Sequence, residues 1–447
     1  MISGDHHLDQ HGILAGLVDN AHTQRQAAVE EIELVLAWAD LHTEQRAERP
    51  GGDRLIRIGA AGTPRVSELC WAELAVARRA GVIATRNLAA DALDLRHRLP
   101  LLFEQVRSLK TEVWVARKIA AMTRPLTLAA VALVDTAVAA AWQLPAGKLL
   151  QVAEAKVIEA DLDAHRARIA ADEQRTGVWR SRPRTGDRLG GEAGACEPAT
   201  GRLSAQLPIA DLVELDAFLD DLADKLAANL DPNAEQPTRD QLRAQALALM
   251  ADPAAVLRLL HGPDAPALPD KPRRDAVLYI HLTRATLADA GVARCEDLGP
   301  LLLDQVTNLL AHRNVKLQPV LDLNAIQTAH AYEHPTRMRA RGILRTGGDT
   351  FPHSVSSTRR LDHDHVTPYD PLGPPGQTTD TNHAPLTRLH HRIKTHNPGW
   401  QVEQIGLGAY RWTTPHGLSR VVTPRGTRDV EPITTDNGRI IGELYWD

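Results

Sequence analysis

An α+β fold is predicted for this chain, with a mainly helical N-terminal domain, an α/β middle region and a C-terminal domain rich in histidine and arginine. Three observations carry it. From about Arg25 to Arg168 apolar residues recur at three- and four-residue spacing in a text of Ala, Leu, Glu and Arg with few β-branched runs, the pattern of amphipathic helices. Further on, short strand-like runs alternate with helical stretches. Between His334 and Arg428 the composition shifts again: 13 Lys or Arg stand against 6 Asp or Glu, and 9 of the 20 histidines fall there. A length of 447 residues, at about 150 per domain, suggests roughly three units. The expected division is a flexible tail (1–24), a helical domain (25–175), an α/β middle region (176–330) and a C-terminal domain (331–447).

With 51 Lys and Arg against 56 Asp and Glu, the net charge of −5 argues against a surface that coats nucleic acid or membrane everywhere. The local excess of +7 between His334 and Arg428 instead marks one basic face. Cys70, Cys196 and Cys295 form no C-x-x-C, which excludes a disulfide framework or a cysteine-held zinc site built locally and suits a cytoplasmic protein. The opening MISGDHHLDQHGILAGLV lacks the basic-then-apolar layout of a signal peptide. The most apolar stretch, Leu126 to Leu144, is mostly Ala and carries Asp135 near its centre, where insertion into a bilayer costs about 2.5–3.5 kcal/mol. A buried helix of a protein without membrane contact is expected there.

Along the chain, Pro100, Pro125 and Pro145 divide the helical array, because proline removes a donor and clashes inside a helix. Trp71 to Leu93 can be a DNA-reading helix-turn-helix, with Gly81 in the turn and Thr85, Arg86 and Asn87 on the second helix, or an ordinary helical pair. Strands near Gly177 to Arg180 and Arg202 to Leu207 flank a Gly/Pro-rich loop. Leu212, Leu215, Leu219, Leu222 and Leu226 then form one helix stripe, suited to core packing or to a homodimer contact. Thr238 and Gln241 make a capping box. After a Pro-rich connector, Ala276 to Leu282 and Val315 to Leu321 read as strands around a helix at Leu301 to Ala311. No Walker loop, G-x-G-x-x-G or nucleophile elbow occurs in this region.

The chemistry concentrates in LDHDHVTPYDPLGPPGQTTDTNHAPLTRLHHRIKTHNPGW. Cleaving a phosphodiester needs a base to activate water, a divalent ion to neutralise charge on the phosphate and leaving oxygen, and a group that fixes the base. His365 can be that base, Asp364 and His391 can ligate the ion, and Asn382 can hydrogen-bond across the loop. Singly, each has a plain structural role open to it, as Asn382 does as a helix N-cap. His363, His383, His396 and His416 are left as structural residues.

Asp364, His365, Val366, Pro368, Asn382 and His391 together resemble the HNH endonucleases, whose pattern is an Asp-His-aliphatic-x-Pro strand, an Asn opening a helix, and a His nine residues after that Asn. The resemblance implies a ββα-metal finger in which His365 is the general base, Asp364 and His391 hold the metal, and Asn382 constrains the loop. Arg388, Arg392 and Lys394 on the helix would then face DNA phosphates, Arg388 and Arg392 from one face. The metal implied is Mg²⁺ first, with Mn²⁺ or Zn²⁺ as alternatives. Many relatives carry a structural zinc on two cysteine pairs; those places are held here by Asp349, Ser354, Thr387 and His390, so no structural zinc is expected. Phe351, Pro352 and Trp412 are expected to stabilise the finger instead. Residues 30–330 and the tail GAYRWTTPHG look like the bacterial type in which a domain of unknown function precedes the finger. The expected function is a metal-dependent DNA endonuclease; the alternative is a non-catalytic DNA-binding regulator with an inert finger.

Overall fold

The computed structural model describes residues 9–43, 52–163, 175–181, 202–231, 236–262, 326–357, 360–434 and 440–445, with shorter pieces between 265 and 323. The chain is α+β, and every strand pair among the described residues is antiparallel. Two compact units emerge, one formed by residues 1–165 together with 320–447 and the other by 166–319.

In the first unit, α1 (Gln10–Asp40) begins where Asp9 accepts a hydrogen bond from the Gly12 amide. Residues 10–24, expected in a flexible tail, are therefore helical, held by that cap and by continuity with the buried turns around Ile32, Val35 and Leu36. A short pair follows, β1 (Leu55–Ile56) with β2 (Val66–Ser67). Next come α2 (Trp71–Ala77) and α3 (Val82–Arg98), the helical pair read from the sequence, with Gly81 at the N-cap of α3. Thr85 is fully buried and accepts from the Arg78 guanidinium, so α3 does not offer it to a groove. Further along, Asp91 and Asp94 of α3 are held by Arg117 and Arg124, while Ile83 and Asn87 near its start are exposed.

The prolines act as expected. Pro100 starts α4 (Pro100–Arg107), Pro125 separates α5 (Val113–Thr123) from α6 (Leu128–Ala140), and Pro145 precedes α7 (Ala146–Ala160). Asp135, the charge in the apolar stretch, is buried on α6, where its carboxylate accepts from the Leu101 and Leu102 amides. It thereby satisfies two of the orphan donors at the start of α4. Among the described residues no helix is long and apolar enough to cross a membrane.

The second unit holds the hairpin of β3 (Gly177–Ser181) and β4 (Arg202–Gln206), then α8 (Ile209–Ala228), α9 (Arg239–Leu249) and α10 (Pro253–His261). The capping box of Thr238 and Gln241 is formed, and Arg239 and Arg243 of α9 pair with Asp216, Asp220 and Asp224 of α8. Of the leucine stripe, Leu222 is buried while Leu212 remains 47% exposed. A three-stranded sheet of β5 (Ile280–His281), β6 (Val292–Cys295) and β7 (Gly299–Leu302) follows. The start of the helix expected at Leu301 is strand instead, and the strand expected at Val315 to Leu321 lies outside the described residues.

The chain then returns to the first unit. β8 (Thr328–Ala329) precedes α11 (Thr336–Thr346), and β9 (Asp362–Asp364), β10 (Thr378–Thr379) and β11 (Ala384–Leu386) lead to α12 (Arg388–His396). A meander follows: β12 (Gln401–Gly406), β13 (Ala409–Thr413), β14 (Ser419–Thr423), β15 (Gly426–Thr434) and β16 (Ile440–Tyr445). Phe351, Leu386, Ile393, Trp400 and Trp412 are buried in the same apolar cluster as Trp71, Leu88 and Leu93 of the helices. Glu68 pairs with Arg392, the Asn397 amide donates to the Leu69 carbonyl, and Glu73 accepts from His416. Helical and C-terminal segments therefore share one core.

Candidate functional site

β9 and β11 pair antiparallel, Asp364 opposite Ala384 and Asp362 opposite Leu386, and α12 follows β11 directly. Thr387 caps α12 by accepting from the His390 amide. Side chains two apart on a strand share a face, so Asp362 and Asp364 both point at α12. There His391 meets them. Its Nδ1 is 2.8 Å from Asp362 Oδ2 and its Nε2 is 3.4 Å from Asp364 Oδ1. One helical turn on, Lys394 Nζ lies 2.6 Å from the other oxygen of Asp364 and also donates to the His365 carbonyl.

This geometry suits a cation at Asp364 and His391. Two donors about 2.0–2.2 Å from one ion, at right-angled to tetrahedral geometry, stand about 3.0–3.5 Å apart. Asp362 accepts a hydrogen bond from Nδ1–H, the usual arrangement behind a ligating imidazole, so that a neutral His391 would offer its Nε2 lone pair to an ion in place of the Nε2–H that reaches Asp364 here. Among the described residues no group of three or more His, Cys, Asp or Glu side chains is arranged to hold a metal. Asp364 and His391 are therefore the two residues that would hold an ion here. Burial would raise the Asp364 carboxyl, but the hydrogen bond from His391 and the charge of Lys394 outweigh it and hold it below the usual carboxylate value. His391 is raised, first by its hydrogen bond to Asp364.

His365 is 5% exposed. Its Nε2 is 2.8 Å from Thr378 Oγ1, and the ring lies between Tyr332 and His334, with centroids 5.6 and 4.4 Å away. Burial lowers its pKa. Behind it, His334, His363 and His383 form a contiguous imidazole group in which His363 Nδ1 and His383 Nε2 are 2.9 Å apart. Burial pushes His334 and His363 down to about 4 and His383 well below its ordinary value. The imidazoles around the His365 ring are thus uncharged at neutral pH, and burial favours the unprotonated form of His365 itself, which suits a base.

Asn382 does not open a helix; β11 intervenes, and Asn382 closes a 3₁₀ turn from Asp380. Its Oδ1 accepts from the Thr367 amide at 2.7 Å, and its Nδ2 donates to the carbonyls of Thr367 and Gln377 at 3.1 and 3.0 Å. The turn that follows His365 is pinned through both backbone groups of Thr367. Asp380, with its side chain fully buried, accepts from the Gln327 amide and pairs with Arg341 and Arg345 of α11, tying that helix to the same loop.

Asp349, Ser354, Thr387 and His390 gather beside α12. Asp349 Oδ2 is 2.5 Å from His390 Nδ1 and accepts from Ser354 Oγ at 3.0 Å. Phe351 stacks on His390 with centroids 4.2 Å apart, Trp400 and Trp412 enclose Phe351, and the Trp412 indole donates to the Thr350 carbonyl. A carboxylate–imidazole hydrogen bond under an aromatic cluster thus joins the segment ahead of β9 to α12.

The basic residues divide. Arg388 is 77% exposed and reaches Asp362, whereas Arg392 is turned inward onto Glu68 at 2.9 Å. Lys394 is drawn to Asp364. Arg337 and Arg339 at the start of α11 are exposed. Asp362 and Thr378 were not singled out from the sequence. The Asp-x-Asp spacing in β9 was a signal for the first; nothing local marked the second, because its role depends on the β8–β10 pairing. No family model, no curated protein and no solved structure matches the chain.

Proposed function

We propose that this protein is a metal-dependent endonuclease of the HNH type that hydrolyses DNA phosphodiester bonds. The observation that carries it is the 3.4 Å approach of Asp364 Oδ1 to His391 Nε2, with His365 next in the chain and Asn382 clamping the turn that follows. A bound divalent cation, Mg²⁺ first and Mn²⁺ or Zn²⁺ as alternatives, would be held by Asp364 and His391 and would neutralise charge on the phosphate and leaving oxygen. His365 takes the proton from a water whose oxygen attacks phosphorus as the P–O bond to the leaving oxygen breaks. Asp362 orients His391, Asn382 keeps His365 in place, and Arg388 supplies an exposed positive charge for the DNA backbone.

Plasmid nicking by the purified chain with each of the three metals, against a metal-free control, tests the reading. Metal-dependent conversion of supercoiled to open-circular DNA is expected. DNA binding without cleavage under every metal would favour the non-catalytic regulator.

A further inference from the structure

Thr378 is buried and sits on β10, opposite Ala329 of β8. Its hydroxyl donates to the Ala331 carbonyl at 2.5 Å and lies 2.8 Å from His365 Nε2. A threonine hydroxyl has a single proton. With that proton committed to Ala331, Oγ1 can only accept from His365, so Nε2 carries the imidazole proton and the lone pair is on Nδ1.

We infer that Thr378 is a positioning residue that fixes the tautomer and orientation of His365 through a relay from the Ala331 carbonyl. The inference rests on the proposed nuclease reading, to which it adds the group that prepares the base. The β8–β10 pair gives the relay its rigidity. Thr378 and Thr379 are registered on Ala329 and Thr328, and Asp380, the next residue, accepts from the Gln327 amide. The pairing thus holds Thr378 beside the segment that carries the Ala331 carbonyl, two residues beyond the end of β8. The role is separable from packing, because valine has nearly the volume of threonine and lacks only the hydroxyl.

Thr378→Val and Thr378→Ser in the full chain test it, with two readouts. The first is the ¹⁵N and long-range ¹H–¹⁵N spectrum of the His365 ring, assigned with His365→Gln, which shows directly which nitrogen is protonated. The wild type and Thr378→Ser are expected to show the Nε2–H form, and Thr378→Val a mixture or the Nδ1–H form. The second is cleavage: Thr378→Val should lower kcat about ten- to a hundredfold, a share of the about 10²–10⁴ that a positioned base supplies, with KM nearly unchanged and Thr378→Ser restoring the rate. An Nε2–H tautomer persisting in Thr378→Val, or a serine variant no better than the valine one, would overturn the inference. The spectrum needs no enzymatic activity, so a wild type that cuts nothing yet shows the Nε2–H form, lost in Thr378→Val, would sink the nuclease reading while leaving the relay standing.

Discussion

In the proposed site the base and one of the metal ligands are adjacent residues that face different partners. Asp364 faces α12 and His391, while His365, on the opposite side of the strand, faces Thr378. Replacing His365 with Ala should lower the cleavage rate by about 10²–10⁴ and leave DNA affinity nearly intact, because no charge on the DNA-facing surface is lost. Single-turnover cleavage and equilibrium binding under matched metal check this, and a wild-type rate would remove His365 as the base. Asp362 should behave differently. It holds the Nδ1 side of His391, so Asp362→Ala should weaken Mn²⁺ binding by about 10–100-fold, read by calorimetric titration. Unchanged affinity would leave Asp362 with no part in the metal site. The Asp364, His365, Asn382 and His391 set was legible because its spacing lies within one short segment. The supporting groups were not, since Thr378 acquires its meaning from a carbonyl 47 residues earlier in the chain.

On α12 the spacing of Arg388 and Arg392 predicted a shared face and a shared role, and helix geometry does put residues four apart on one side. Their surroundings separate them. Arg388 projects into solvent, and Arg392 bonds Glu68 and the Gly52 carbonyl. Arg388→Gln should therefore flatten the plot of log affinity against log salt by up to about 0.9 on duplex DNA, whereas Arg392→Gln should leave that slope alone and lower the midpoint of urea unfolding. Salt titrations of both variants decide it; a flattened slope for Arg392→Gln would return that residue to the DNA face. The motif spacing located the helix that bears His390, His391 and Lys394, but its cap is Thr387 rather than Asn382. The inward turn of Arg392 was hidden because a charged residue on an amphipathic helix looks the same whether water or a distant carboxylate receives it.

Across the first compact unit, the helices before residue 165 and the strands after residue 320 share one apolar cluster. The sequence divided them, because Glu68 and Arg392 lie 324 positions apart and no local pattern links them. Their ion pair is one of the contacts that join the two segments, and its response to acid can be worked out. The Arg392 hydrogen bond, acting against burial, holds the Glu68 carboxyl below its ordinary value of 4.5. A carboxyl with a lowered folded pKa binds fewer protons folded than unfolded, so its stabilisation is complete above the unfolded value and is lost as pH falls through the folded one. Protonated glutamate is nearly isosteric with glutamine, which makes Glu68→Gln a permanent copy of the acid form. Urea unfolding should show Glu68→Gln less stable than the wild type at pH 7, with a constant difference down to about pH 5 and a narrowing one below the ordinary value of 4.5. Because the pair joins both segments, tryptophan fluorescence and helical circular dichroism should report the same shift. A difference that widened on acidification would mean that Glu68 is not the group whose charge holds Arg392.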